Sequence, residues 1–189
     1  MSDSNAAPSA APALLLSMPQ LNDPNFSRTV VLLCQHDSDG AWGLVVNRPT
    51  GQAAASVVQI HPPLVRPNDL EVWSGGPVET QRGCILMGQA PPEGAEAAEI
   101  VDGLYISGSP VLLRHLLEQP APPRRTRLLV GYAGWGPGQL EAEMAQSAWL
   151  ITEVDPELIF DVAADRMWET GIRRLGADPG ALQVSRGVH

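Results

Sequence analysis

An α+β domain built on a mixed, curved sheet is the fold class this sequence predicts, and three features carry it. Strand-type apolar runs outnumber helical patterns early in the chain. Asp39-Gly40 lies between two such runs and marks a hairpin, which rules out a purely βαβ plan. Residues 128–150, LLVGYAGWGPGQLEAEMAQSAWL, then read as strand, glycine-dense turn and helix. With 189 residues the prior is one domain. A chain of this size buries roughly 70% of its unfolded surface and needs no staples.

Residues 1–12 are rich in Ala, Pro and Ser and are expected to form a disordered tail, leaving 13–189 as the domain. The tail has an acid at Asp3 and no basic residue, which argues against a signal peptide. Residues 13–17 predict a first strand, closed by Met18-Pro19. Asn22-Asp23-Pro24 predicts a turn with Phe26 as an anchor. Thr29–Gln35 is apolar and β-branched, hence a strand; residues 36–40 turn the chain, and Ala41–Asn47 return as its partner. Gln52–Ile60 predicts a helix bounded by His61-Pro62-Pro63.

Val72-Trp73 leads into Ser74-Gly75-Gly76-Pro77, a tight loop that lets backbone approach something closely. Residues 83–88 predict a strand, Gln89–Glu99 a solvated loop, and 104–106 a short strand. Pro110–Glu118 predicts a helix capped by Ser109, and 119–125 a proline-rich connection. In the central stretch Leu128-Leu129-Val130 predicts a buried strand. Gly131, Gly134, Gly136 and Gly138 predict a loop holding Tyr132 and Trp135, and Pro137 suits the first helical position. Glu141 and Glu143 follow at the helix's positive end, with Leu140 and Met144 facing the core. Residues 149–154 predict a strand, Asp155-Pro156 the cap and start of a short helix, and 165–175 a last helix stopped by Gly176.

Composition excludes several chemistries. The net charge is −9 and all 12 basic residues are arginine, so no Schiff-base or P-loop lysine exists. The acidic balance disfavours duplex DNA, whose affinity rests on phosphate neutralisation. No apolar stretch reaches the roughly 20 residues that span a bilayer. Cys34 and Cys84 lie in apolar runs and read as buried core thiols, kept reduced in a cytosolic chain.

Cys34-x-His36 places two ligand-type side chains on one strand face, with His61 and Cys84 as further ligands, but no paired ligand spacing supports zinc and no metal is expected. Asp37-x-Asp39-Gly40 lacks the remaining acids of a calcium loop and reads as a turn. The glycine loop satisfies neither G-x-G-x-x-G nor the P-loop pattern, and Glu141 and Glu143 would repel a phosphate. Ser74, Ser107 and Ser109 lack a nucleophile elbow. Asn47-Arg48-Pro49 puts a guanidinium at a strand end, either clamping an anion or pairing with an acid such as Glu141 or Glu79. Trp42, Trp73 and Trp135 each lie within two residues of a glycine, as rim residues or as core anchors.

The run GYAGWGPGQLEAE resembles the signature of the YqgE/AlgH family of small bacterial proteins. LLLSMPQLNDPNFSRTVVLLCQHDSDGAWGLVVNRP, VWSGGPV and the closing Trp168–Gly176 fit the same pattern in the same order, spanning about residues 13–180. The resemblance implies a sheet partly rolled into a barrel with helices around it. It also brings the family's label of transcriptional regulator.

The expectation is therefore a cytoplasmic, non-catalytic domain that binds a small anionic ligand or a protein partner, without cofactor, nucleic acid or membrane. Its candidate residues are His36, Asn47, Arg48, Ser74, Gly75, Gly76, Tyr132, Gly134 and Trp135. The alternatives are a hydrolase or transferase using His36, Arg48 and the Ser74–Gly76 loop, and a transcriptional regulator.

Overall fold

Residues 13–16 and 30–34 are unbroken apolar runs because both faces of the sheet are covered there. In the computed structural model, which describes residues 9–19, 21 and 23–184, β1 spans Ala13–Ser17, β2 Val30–Asp37 and β3 Gly40–Val45. They pair in antiparallel order, β1 with β2 and β2 with β3. Leu14, Leu16, Val30 and Leu32 point to one side, against α4 (Pro156–Phe160) and α5 (Ala164–Arg174) through Leu158, Met167, Trp168 and Ile172. Leu15, Val31 and Leu33 point to the other, where α3 (Gln139–Ala145) brings Leu140 and β10 (Trp149–Thr152) brings Trp149. The Trp168 indole donates to the Ser17 carbonyl at 2.9 Å and pins α5 across the end of β1.

The remaining strands are β4 (Pro49–Ala53), β5 (Glu71–Ser74), β6 (Val78–Met87), β7 (Ala98–Val101), β8 (Leu104–Ser107) and β9 (Thr126–Trp135). The main sheet path runs β10-β1-β2-β3-β9-β6-β8-β7, with β4 and β5 branching from β9. It curls into a half barrel in a single α+β domain. One pair, β5 with β9, is parallel, so the sheet is mixed. Beyond it, α2 (Pro110–Leu117) lays Leu112, Leu113, Leu116 and Leu117 onto Val72, Ile85, Met87 and Leu128. Ser109 caps α2 by accepting from Leu112 N–H at 3.3 Å, and Asp155 caps α4 in the same manner. A one-turn α1 (Ala54–Val57) and a terminal α6 (Pro179–Val184) complete the set.

The largest departure from the sequence expectation lies in the glycine stretch. Residues 131–135 continue β9 as strand rather than forming a loop, and the turn is confined to residues 136–138. The C-terminal half of β9 pairs with β3, Gly43 opposite Ala133, while its N-terminal half pairs with β5, Ser74 opposite Val130. One edge of β9 thus serves two strands, and the changeover falls at Gly131, whose φ is 75°. There Gly75 N–H donates to Val130 at 2.7 Å, and the Gly75 carbonyl accepts from Val45 N–H at 2.8 Å. A Cβ on Gly75 would sit 2.3 Å from the Gly131 carbonyl oxygen. The glycines are present because backbone crosses backbone. Gly138, with φ 74°, caps α3, so Pro137 precedes the cap instead of opening the helix.

Three smaller expectations also change. The helix expected over 52–60 is the end of β4 followed by the single turn α1, because Gln52 and Ala53 pair with the β5 edge and Gly51 N–H donates to the Glu71 carboxylate. β6 begins at Val78, five residues early, crossing an irregularity that leaves Glu79 at φ 46°. The loop expected over 89–99 gives up its last residues to β7, which pairs with β8. Of the expected tail, residues 1–8 lie outside the described residues. Ser9 Oγ and Ala10 N–H both bond to His36, at 2.9 and 3.0 Å.

Candidate functional site: the cleft beside Trp42 and Tyr132

A β-bulge decides which side chains meet in the concavity of the half barrel. Leu33 lies opposite Gly43 and Gln35 opposite Trp42, so Cys34 is the extra residue of β2. The bulge flips the alternation that follows it. Gln35 and Asp37 turn into the concavity, while His36 turns to the opposite face, where its Nε2 lies 3.0 Å from Glu141 on α3. Cys34 and His36 therefore do not share a face, contrary to the two-residue spacing. Among the described residues no group of three His, Cys, Asp or Glu side chains is close enough to hold a metal ion.

The concavity is a cleft of about 770 Å³. Trp42 and Tyr132 form its aromatic wall, with ring centroids 6.4 Å apart and planes at 80°. Tyr132 lies back across Gly134, where a Cβ would come within 3.3 Å of its ring. Val78, beside Tyr132 on the neighbouring strand, and Cys84 and Ile106 supply apolar surface. The Trp42 indole donates to Gln35 Oε1 at 3.2 Å, and Gln35 Nε2 donates to Asp37 Oδ2 at 2.7 Å. That amide and the Asp39 N–H hold the Asp37 carboxyl below the usual carboxylate range. Arg82 and Ser107 stand on the other lip. Arg82 pairs with Glu79 at 3.4 Å, and the Ser107 hydroxyl donates to the Glu96 carbonyl. Burial pushes the Cys84 thiol up to about 12, so it stays protonated at neutral pH.

Of the residues expected to form a site, Tyr132, Gly134 and Trp135 border this cleft. The Trp135 indole, however, packs on the far face, edge-on to Trp149 at 5.8 Å. His36 is clasped between Ala10 and Glu141. Asn47 braces the neighbouring chain, accepting from Val30 N–H and donating to the Arg28 carbonyl, each at 3.0 Å. Arg48 donates to the Ser27 carbonyl and to Thr29 Oγ1; neither Glu141 nor Glu79 is its partner. The Ser74 and Gly75 N–H groups go to Arg48 and Val130 carbonyls, and a Cβ on Gly76 would lie 2.2 Å from the Tyr132 carbonyl carbon. The loops after β3, β5 and the middle of β9 do converge, but they bond to one another.

Sequence reasoning missed two polar centres. Glu143 Oε2 accepts from the indoles of Trp135 and Trp149, at 2.9 and 2.7 Å. Arg127 is buried, stacked 3.8 Å from the Trp73 ring centroid and bonded to the Val46 carbonyl. Burial lowers its pKa to about 10, which leaves it cationic at neutral pH. The three glycine-flanked tryptophans are thus divided among cleft wall, arginine stack and opposite face. The even spacing of apolar residues on either side carried no sign of this division.

The sequence profile of the AlgH-like family matches residues 14–180. A UPF0301 protein of Myxococcus xanthus is 40% identical, over 95% of this chain and 98% of its own length. One from Ruegeria pomeroyi is 35% identical, over 92% and 96%. Among solved structures, the AlgH protein of Pseudomonas aeruginosa superposes with a TM-score of 0.75 at 33% identity, covering 100% of this chain and 99% of that one. A Corynebacterium diphtheriae protein shares the fold alone, with a TM-score of 0.68 at 19% identity over 94% and 91% of the two chains. By profile, sequence and fold, the chain belongs to the AlgH-like family.

Proposed function

We propose that this protein is a non-catalytic binding domain whose ligand lies in the cleft against Trp42 and Tyr132. The carrying observation is the aromatic pair itself, set in a concavity of about 770 Å³, the size range of small-molecule sites. The Tyr132 hydroxyl has no hydrogen-bond partner among the described residues and is available to a ligand. Binding is favoured over catalysis by the state of the polar groups. The Cys84 thiol is held protonated, the Ser107 hydroxyl is engaged by Glu96, and no histidine among the described residues lines the cleft. The enzyme alternative would need His36, Arg48 and the Ser74–Gly76 loop at one point, and His36 faces the far side of the sheet. A regulatory role in the cytoplasm suits such a domain, acting through a ligand or partner rather than through duplex DNA, given a net charge of −9. Among the described residues no helix is long and apolar enough to cross a membrane.

The test uses ligand-observed NMR with single-ring aromatic fragments of every charge type. Val78 lines the cleft and is 36% exposed, so Val78→Trp fills the space without entering the core. Wild type should broaden the signals of a subset of fragments, and Val78→Trp should abolish that broadening at an unchanged melting temperature. Broadening that survives Val78→Trp, or none with wild type, would overturn the proposal.

A further inference from the structure

We infer that the cleft selects an organic cation with an apolar body, of the amidinium or guanidinium class. The inference rests on the cleft being the binding site and adds the charge of its occupant.

The two lips of the cleft are electrically unequal. Asp37 and Asp39 stand on one. The hydrogen bonds from Gln35 and from Asp39 N–H keep Asp37 ionised, and the Asp39 carboxylate has no hydrogen-bond or ion-pair partner among the described residues. Arg82 is the cationic side chain on the other lip; it is 75% exposed and already paired with Glu79. Asp37, Asp39 and Arg82 are all exposed, so the imbalance is one of number: two carboxylates face one guanidinium that Glu79 already neutralises.

Geometry adds to charge. The chain of bonds from the Trp42 indole through Gln35 to Asp37 fixes an aromatic face and a carboxylate side by side. Tyr132 stands edge-on to the same indole. A planar cation lying on the aromatic wall gains from the ring quadrupoles while its N–H groups reach Asp37 or Asp39, and Val78 and Ile106 cover its apolar part. An anion in the same place would face both carboxylates. The overall charge of −9 extends the same preference to the approach of the ligand.

Benzamidinium, benzamide and benzoate share one shape and differ in charge. Titrations of the full chain at low salt would follow the Trp42 indole resonance. Benzamidinium should bind at least tenfold more tightly than benzamide, and benzoate should not bind. Asp37→Asn with Asp39→Asn removes both charges and keeps one oxygen at position 37 for the N–H of residue 39, giving up the bond from Gln35 Nε2. It should cost benzamidinium at least tenfold while leaving benzamide unchanged, and added salt should weaken the cation alone. If benzamide or benzoate binds as well as benzamidinium, the charge preference is overturned and the cleft reading stands. If none moves the Trp42 resonance, both fall. Two probes then separate the sources of such a group. Binding of N-acetylarginine amide equal to that of a pentapeptide with central arginine identifies a small-molecule cation. Tighter binding of the peptide identifies a basic side chain on a partner protein. Either result supports the inference, and binding of neither probe would contradict it.

Discussion

Gly76 and Gly131 meet backbone to backbone at the centre of the sheet: a Cβ on Gly131 would lie 2.3 Å from the Gly76 carbonyl oxygen. This contact lets β9 exchange β5 for β3 along one edge, and it places Tyr132 at the cleft. The glycines that resemble a ligand-cradling loop are the joint of the fold.

Gly131→Ala should therefore be severely destabilising. It combines a left-handed backbone conformation, φ 75°, with a main-chain collision that no flexible side chain can relieve. The expected loss is about 3 kcal/mol or more in urea melts. Gly138→Ala is the control. Its φ is 74° but nothing lies within 4 Å of the added methyl, so the expected loss is about 1 kcal/mol. Similar midpoints for the two variants would mean that the crossing tolerates a side chain.

Glu143 joins α3 to two strands through the indoles of Trp135 and Trp149. Glu143→Ala leaves both buried N–H groups without an acceptor and should cost about 2–4 kcal/mol. Glu143→Gln keeps a carbonyl oxygen and should cost about 1 kcal/mol. Near-UV circular dichroism should change for the alanine variant, since the edge-on indole pair loses its common anchor.

Both thiols link stability to alkaline pH. Burial raises Cys34 and Cys84 from 9.0 to about 12. The unfolded chain gives up these protons first, so their contribution is complete below pH 9 and is lost as pH rises from 9 to 12. The slope is at most about 1.4 kcal/mol per pH unit for each thiol. Urea midpoints between pH 8 and 11 should fall more steeply for wild type than for a Cys34→Ala, Cys84→Ala variant. Native thiol labelling at pH 7.5 should be slow at both positions, and faster at Cys84, which borders the cleft.

Local chemistry was legible wherever it acts over a few residues. The Asp39-Gly40 hairpin, the caps Ser109 and Asp155, and the runs at 13–17 and 128–130 read directly from residue type and spacing. The glycine stretch misled because Gly131 and Gly134 look the same in sequence whether they face a ligand or another strand. Only the crossing with Gly75 and Gly76, more than fifty positions earlier, settles Gly131, and only the pairing with Trp42 settles Gly134. The Cys34 bulge was invisible for a related reason. Insertion of one residue against β3 leaves the apolar pattern of β2 intact and still reverses the faces of His36 and Asp37. Arg48 stood out as a cation beside a strand end, yet its partners are a carbonyl and a hydroxyl some twenty residues away. Of the expected site, the part that borders the cleft is the part on β9, where fold and motif coincide.

The most direct measurement is a map of backbone and indole N–H chemical shifts of the full chain during titration with a cation, a neutral fragment and an anion of one shape. Binding in the cleft predicts shifts confined to Trp42, Val78, Ile106, Ser107, Tyr132 and Gly134, largest with the cation. Shifts centred on Arg48, Ser27 and Thr29 with the anion, and none at Trp42, would place the site at the far end of β3 and contradict the cleft.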